Sequence, residues 1–226
     1  VSKHLNKILE INEEEQWVRV QPGVIRDELN QYLKPYGFMF GPETSTANRA
    51  MIGGMIGNNS CGSNSIVYGS TREHLISAKV LLSNGSEVEF KEVSTEEFDN
   101  KCSLDSLEGK LYQNIRKILS DKNNRAEIEN EFPKKSIERR NTGYAIDLLK
   151  DTAPFYRNGE SFNFCKLLAG SEGTLAFITE AKLAIKSALS IKAKSKNIFV
   201  LEKLEYKEPK TKEFAKMLEK MKLEGK

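Results

Sequence analysis

The 226-residue sequence predicts an α+β domain, an antiparallel or mixed β-sheet flanked by helices. Three observations carry this prediction. Asn84-Gly85 separates two apolar runs, the strongest short-range hairpin signal a sequence offers. Gln16 to Gln21 and Thr174 to Lys186 alternate apolar and polar residues, the period of a half-buried strand. Val24 to Tyr36 and Leu107 to Ser120 instead repeat apolar residues every three to four positions, as a helix with one buried face requires.

Taken in order, VSKHLNKILEIN at the start reads as the end of a strand and its continuation. QWVRVQ follows as a strand and Pro22-Gly23 ends it. Ile25, Leu29, Leu33 and Tyr36 form the expected buried stripe of the next helix, which Gly37 closes. Ile76 to Leu82 and Glu87 to Lys91 are the hairpin strands, with positive φ expected at both Asn84 and Gly85. Ser94 to Glu97 (STEE) resembles a capping box. Leu111, Ile115 and Leu119 mark the buried side of a longer helix, and residues 121–137 read as exposed helix or loop. Thr174 to Lys186 returns to the sheet as a last strand.

Composition narrows the function classes. No apolar run approaches the ~18 residues of a membrane span, and no signal-peptide pattern opens the chain. Cys61, Cys102 and Cys165 are odd in number and lack C-x-x-C spacing, which suits a reducing compartment and a cytoplasmic location. With His4 and His74 the only histidines, a metal cluster is not expected. Net charge is +3, yet positions 186–226 hold 12 lysines against 6 glutamates, so the body is net acidic. That tail has no arginine and few interleaved aromatics, so it reads as a solvated face and no nucleic-acid partner is expected.

Ala50 to Thr71 carries no charge at all, although 30% of the chain is Asp, Glu, Lys or Arg. This window, AMIGGMIGNNSCGSNSIVYGST, is rich in Gly, Asn and Ser, residues that let a backbone approach a ligand closely and offer uncharged hydrogen bonds. It suits a planar, partly anionic cofactor; the bland alternative is a glycine-rich connection between packed elements.

Three segments then carry a resemblance: WVRVQPGVIRDELNQYLKPYGFMFGPETST, MIGGMIGNNSCGSNSIVYGSTREHLISAKVLLSNGSEV, and NTGYAIDLL followed by KLLAGSEGTLAFITEAKLAI. Together they resemble the FAD-binding domain of the vanillyl-alcohol-oxidase (PCMH-type) FAD-linked oxidoreductases. Within that family the chain is most similar to the glycolate oxidase, D-lactate and D-2-hydroxyglutarate dehydrogenase branch. The long bacterial members of the branch fuse this domain to an iron–sulfur half. The resemblance covers residues 1–187, an FAD-binding PCMH-type domain without its N-terminal subdomain. Residues 188–226 are expected to be the start of a cap or substrate domain, or a Lys-rich tail.

The resemblance implies a cofactor site built from named positions. Pro42, Glu43, Thr44, Ser45 and Thr46 match a segment beside the flavin. Gly53, Gly54, Asn58, Asn59, Ser60, Cys61 and Gly62 match the stretch that cradles the isoalloxazine–ribityl part and the pyrophosphate. Glu172, Gly173, Thr174 and Ile178 match a second, nucleotide-side contact. Cys61 reads as a small space-filler, since nothing basic adjoins it to activate a thiol. Arg140, in RRNTGY, is the expected clamp for a substrate carboxylate, or else part of a solvated basic pair following Lys134 and Lys135. His74 is expected to be structural.

Three departures qualify what is implied. The family's R-G-x-G-T-S loop, which wraps the FAD pyrophosphate, is missing, as are the later histidines that activate the hydroxy acid and any iron–sulfur cysteine pattern. The expectation is therefore a piece of an FAD-dependent enzyme that oxidises a 2-hydroxy acid (D-lactate, glycolate or D-2-hydroxyglutarate) by hydride transfer to flavin N5. It is expected to bind FAD weakly or not at all on its own, with an iron–sulfur electron acceptor only in the parent. Catalytic residues are not identifiable. The alternatives are a reductase of the UDP-N-acetylenolpyruvoylglucosamine type and a non-catalytic scaffold.

Overall fold

A computed structural model describes residues 1–63, 65–134, 136–137 and 143–187. Arg140 and the whole of 188–226 lie outside the described residues. Val1 to Lys186 form one compact unit.

Its centre is a five-stranded antiparallel sheet in the order β1-β2-β6-β4-β5, formed by β1 (Ile8–Asn12), β2 (Trp17–Val20), β4 (Leu75–Leu81), β5 (Glu87–Phe90) and β6 (Phe177–Ala184). A two-residue strand β3 (Phe38–Met39) lies outside it. Alternation explains the sheet's two faces. Val18, Val20, Ala78, Val80, Ala181 and Leu183 are buried in the core. The intervening residues carry charges that pair across strands: Arg19 with Glu10 and Glu180, both at 3.6 Å, and Lys79 with Glu180 at 3.1 Å. Lys182 also lies 3.9 Å from the centre of the Trp17 ring.

The first helix, α1 (Arg26–Leu33), is shorter than its apolar spacing predicts, and a 3-10 turn over Lys34–Tyr36 continues it to Gly37. Leu29 and Leu33 are fully buried, but Tyr36 is 40% exposed. Pro35 lies in this tighter turn of about three residues, which rotates Tyr36 off the helical stripe. The Asn84-Gly85 hairpin forms with a different turn from the one expected. Only Gly85 has positive φ (81°), and Gly85 N–H donates to Leu82 while Leu82 N–H donates to Ser86. This is a three-residue loop with Gly in the left-handed position, so Asn84 stays out of it.

Of the remaining helices, α2 (Ile52–Asn58), α3 (Ser65–Tyr68) and α4 (Thr71–His74) carry the neutral window and its end. Farther along the chain, α5 (Thr95–Cys102) is capped by Ser94, whose side chain accepts from Glu97 N–H. Helix α6 (Leu107–Ser120) buries Tyr112, Ile115 and Leu119. Helix α7 (Lys122–Glu131) buries only Ile128, with Asn124 and Arg125 half-buried and the rest exposed, and α8 (Ile146–Leu149) and α9 (Cys165–Leu168) are single turns. Phe98, Tyr112, Phe162 and Phe164 stack edge to face among themselves with centroids 4.8 to 5.2 Å apart, fixing α5 and α6 against the segment that leads into α9. No helix among the described residues is long and apolar enough to cross a membrane.

Candidate functional site

Helix α2 ends at Asn59, whose left-handed backbone (φ 50°) turns the chain out of the helix. The last carbonyls of any helix lack intrahelical partners. Here Gly170 N–H donates to the Ile56 carbonyl and Glu172 N–H to the Gly57 carbonyl, each at 2.9 Å. The turn that follows α9 is thereby docked on the end of α2. Asn58 Nδ2 adds a 3.0 Å bond to the Glu172 carboxylate, and Ser60 Oγ donates to Asn58 Oδ1 at 3.3 Å.

Between these two segments lies an open cleft of about 270 Å³. Gly53, Gly54 and Gly57 form one side of it, and Ser171, Gly173 and Ile178 the other. Val1, Pro22, Met51, Leu168, Ala176 and Phe177 complete a lining with no charged side chain. A Cβ built on Gly54 or Gly173 meets no protein atom within 4 Å, so at both positions the bare backbone leaves space beside the cleft. Such a slot accepts a flat, largely apolar group and offers a diphosphate no charged side chain.

The remaining expected positions fall around the cleft. Pro42 is buried and its carbonyl accepts from Arg26 Nε at 3.1 Å. Arg26 and Asp27 N–H donate to Ala50 and Ala47, so the 42–50 loop satisfies the first turn of α1. Glu43 packs on Gly62, where a Cβ would come within 2.5 Å of the Glu43 carbonyl oxygen. Thr44 and Thr46 hydroxyls lie 3.2 Å apart and Ser45 is exposed. Thr174 shares a hydrogen bond with the Tyr144 hydroxyl at 2.6 Å. Pro42 to Thr46 thus meet the glycine-rich loop at Gly62, while Gly53, Gly54, Gly173 and Ile178 line the cleft itself. Asn59 serves the fold: it is 1% exposed and its Oδ1 accepts from Arg72 N–H at 2.8 Å. Cys61 is half-buried.

His74 is buried, with Nε2 2.7 Å from the Tyr68 carbonyl and Nδ1 3.0 Å from the Ala184 carbonyl. Both nitrogens face backbone acceptors, which suits a structural tie between the neutral loop and β6. Sequence reasoning missed Met51 and Phe177 as lining and Arg72 as a link between the walls. Arg72 had one visible signal, as the first charge after the neutral window.

Comparison with known proteins adds names to this geometry. Residues 1–91 match the FAD binding domain family, and residues 178–226 match the ribosomal protein L4/L1 family. The D-2-hydroxyglutarate dehydrogenase of Pantoea ananatis is 42% identical over 185 residues, covering 82% of this chain and 17% of the relative. That of Escherichia coli is 40% identical with the same coverage. Glycolate oxidase subunit GlcD of Bacillus subtilis is 41% identical over 83 residues, 37% of this chain and 18% of that protein. The chain thus spans about a sixth of the length of the dehydrogenases it matches. Among solved structures, an alkyldihydroxyacetonephosphate synthase aligns at TM-score 0.47 with 19% identity, over 81% of this chain and 22% of that one. Residues 1–91 carry the match to the FAD binding domain family, and the similarity to the Pantoea ananatis dehydrogenase runs beyond it, over 185 residues.

Proposed function

We propose that this chain is the flavin-holding part of an FAD-dependent oxidoreductase that oxidises a small 2-hydroxy acid of the D-2-hydroxyglutarate, D-lactate or glycolate type. The observation that carries the reading is the meeting of two segments, distant in sequence, at one uncharged cleft of about 270 Å³. The dehydrogenase and glycolate oxidase names of the relatives support the substrate class.

When bound, FAD supplies a hydride acceptor at N5, and the redox chemistry is the cofactor's. The chain's own residues hold and orient. Gly53, Gly54 and Gly173 would let the backbone approach the flat ring system, and Ile178 would cover it. Asn58, Ser60 and Glu172 would form a polar rim, with Thr174 beside it. Pro42 to Thr46, Asn59, Cys61 and Gly62 would support that wall from behind. Arg140 would bind the substrate carboxylate.

The cleft falls below the roughly 300–1,000 Å³ of typical small-molecule sites. With no charged side chain in its lining, it would grip the ring portion and leave the diphosphate to other contacts, so FAD binding by this chain alone would be weak. An iron–sulfur module would accept the electrons, and the enzyme would act in the cytoplasm. Residues 1–187 would form the flavin-binding unit, with 188–226 a separate cap start or Lys-rich tail.

Titration of the chain with FAD, riboflavin and ADP, followed by flavin fluorescence and competition, tests this reading. Weak saturable binding of FAD and riboflavin, with ADP a poor competitor, is expected. No flavin binding, or full competition by ADP, would overturn it. Dye reduction by the enzyme as the cell makes it, assayed with the three hydroxy acids, then identifies the substrate.

A further inference from the structure

We propose that Arg72 is a positioning residue that sets the spacing between the two walls of the flavin cleft. The inference rests on the reading of that cleft given above and adds a residue that is neither part of the cleft's lining nor among the expected cofactor positions.

The start of α4 is pinned to the end of the glycine-rich loop. Arg72 N–H donates to Asn59 Oδ1 at 2.8 Å. Thr71 N–H and Oγ1 both donate to the Ser60 carbonyl, at 3.0 and 2.7 Å. A reciprocal capping box between Ser70 and Glu73 fixes this short helix. From that anchored backbone the Arg72 side chain reaches the far wall. Its Nε donates to the Lys166 carbonyl at 2.9 Å and to the Ala169 carbonyl at 3.2 Å, and an Nη donates to Ala169 at 2.6 Å. These carbonyls end α9, where a helix needs outside donors.

The next residue, Gly170, begins the turn that docks on α2. Its φ is 94°, and a Cβ there would sit 2.6 Å from the Arg72 guanidinium. The guanidinium therefore lies directly against the backbone of the turn. Gly170 and Glu172 N–H then close the circuit on the Ile56 and Gly57 carbonyls. The path runs from α2 through Asn59 and α4 to α9, and back to α2 through the turn. Arg72 is the link in this circuit that crosses from one wall to the other by a side chain reaching two carbonyls. A planar fork with fixed N–H directions can hold two acceptors at a set separation, whereas a lysine ammonium is a single point that can swing between them.

The test is Arg72→Lys, with Arg72→Gln as a second variant that keeps one planar donor group. The remote Ile115→Val serves as a control for general loss of stability. Two readouts are taken: amide hydrogen exchange at Gly170 and Glu172 relative to Val18 and Leu183, and the riboflavin dissociation constant. We expect the two turn amides to exchange faster by about tenfold in the Arg72 variants while the sheet amides hold. Flavin affinity should fall by about tenfold, with Ile115→Val changing neither ratio. Unchanged turn-amide exchange overturns the proposal, and so does faster exchange with unchanged flavin affinity. If the unmodified chain binds no flavin, the functional reading fails and the exchange ratio alone decides whether Arg72 sets the spacing.

Discussion

Asn58 Nδ2 donates to the Glu172 carboxylate at 3.0 Å, joining two residues 114 positions apart in the sequence. Glu172 holds a left-handed backbone (φ 52°) to make this contact, while its own N–H is spent on the Gly57 carbonyl. A non-glycine residue in that conformation costs roughly 1–2 kcal/mol. The side-chain bond and the docked N–H offset that cost, so the cleft's rim is held by a strained residue with two partners.

Substitution at Glu172 separates the two contributions. Glu172→Ala loses the bond to Asn58 and keeps the backbone strain. Glu172→Gly loses the same bond and relieves the strain. The glycine variant is therefore expected to be more stable than the alanine variant by about 1 kcal/mol, read from urea midpoints. Equal midpoints would mean that the left-handed conformation is not kept in solution.

Gly54 predicts a conflict between stability and binding. It lies within α2, where glycine costs about 0.8–1.0 kcal/mol relative to alanine. A Cβ there meets no protein atom within 4 Å. Gly54→Ala is expected to raise stability by about 0.5–1 kcal/mol while weakening flavin binding, because the added methyl enters the space beside the cleft. The neighbouring Gly53→Ala should destabilise, since its Cβ would come 2.7 Å from Pro22 Cβ. Denaturation midpoints and flavin titrations on both variants check the opposite signs.

The fold was legible where a periodic signal was local. The helix Leu107–Ser120 is read from Leu111, Ile115 and Leu119 with its observed limits, and the hairpin around Asn84-Gly85 follows from turn chemistry. Its turn type was not legible, because Leu82 and Ser86 extend the loop by one residue through their own bond. Tyr36 was misplaced because helical spacing assumes 3.6 residues per turn and the chain tightens at Pro35. In the site, the neutral window pointed to Gly53 and Gly54 through their lack of side chains. Asn59 could not be told from Asn58 by type: one faces a carboxylate across the cleft rim and the other is buried against α4. Arg72 acts through carbonyls of residues 94 and 97 positions away, which no periodicity reports.

Tyr112 carries the one buried side-chain hydroxyl without a partner among the described residues. It is fully buried, between Phe98, Phe162 and Phe164. An unsatisfied buried hydroxyl costs about 1–3 kcal/mol. Tyr112→Phe keeps the ring packing and removes that cost, so it is expected to stabilise the protein by about 1 kcal/mol. Thermal and urea denaturation check this, and a destabilised Phe variant would show that the hydroxyl has a partner in solution, such as an ordered water.

Burial also makes the protein sensitive to alkali. Cys165 is 1% exposed, and burial pushes its thiol up, with Glu89 acting in the same direction and the Ala78 backbone opposing. Cys102 is raised for the same reason, burial, though the nearby Arg116 partly opposes it. An unfolded thiol ionises near a pKa of about 8.5. Below that pH both states hold the proton and stability is at its full value. Above it the unfolded state releases protons that the folded state keeps, so stability falls until the folded pKa is reached, by up to about 1.4 kcal/mol per pH unit for each such group. Tyr112, also raised by burial, adds to the loss above its unfolded value near 10. Unfolding free energies at pH 7, 8, 9 and 10 should therefore decline from about pH 8.5 onward. Cys165→Ala should start lower at pH 7, from the lost Sγ packing, yet decline less steeply between pH 8.5 and 10 than the parent chain. Parallel declines for the two proteins would mean that Cys165 ionises alike in the folded and unfolded states.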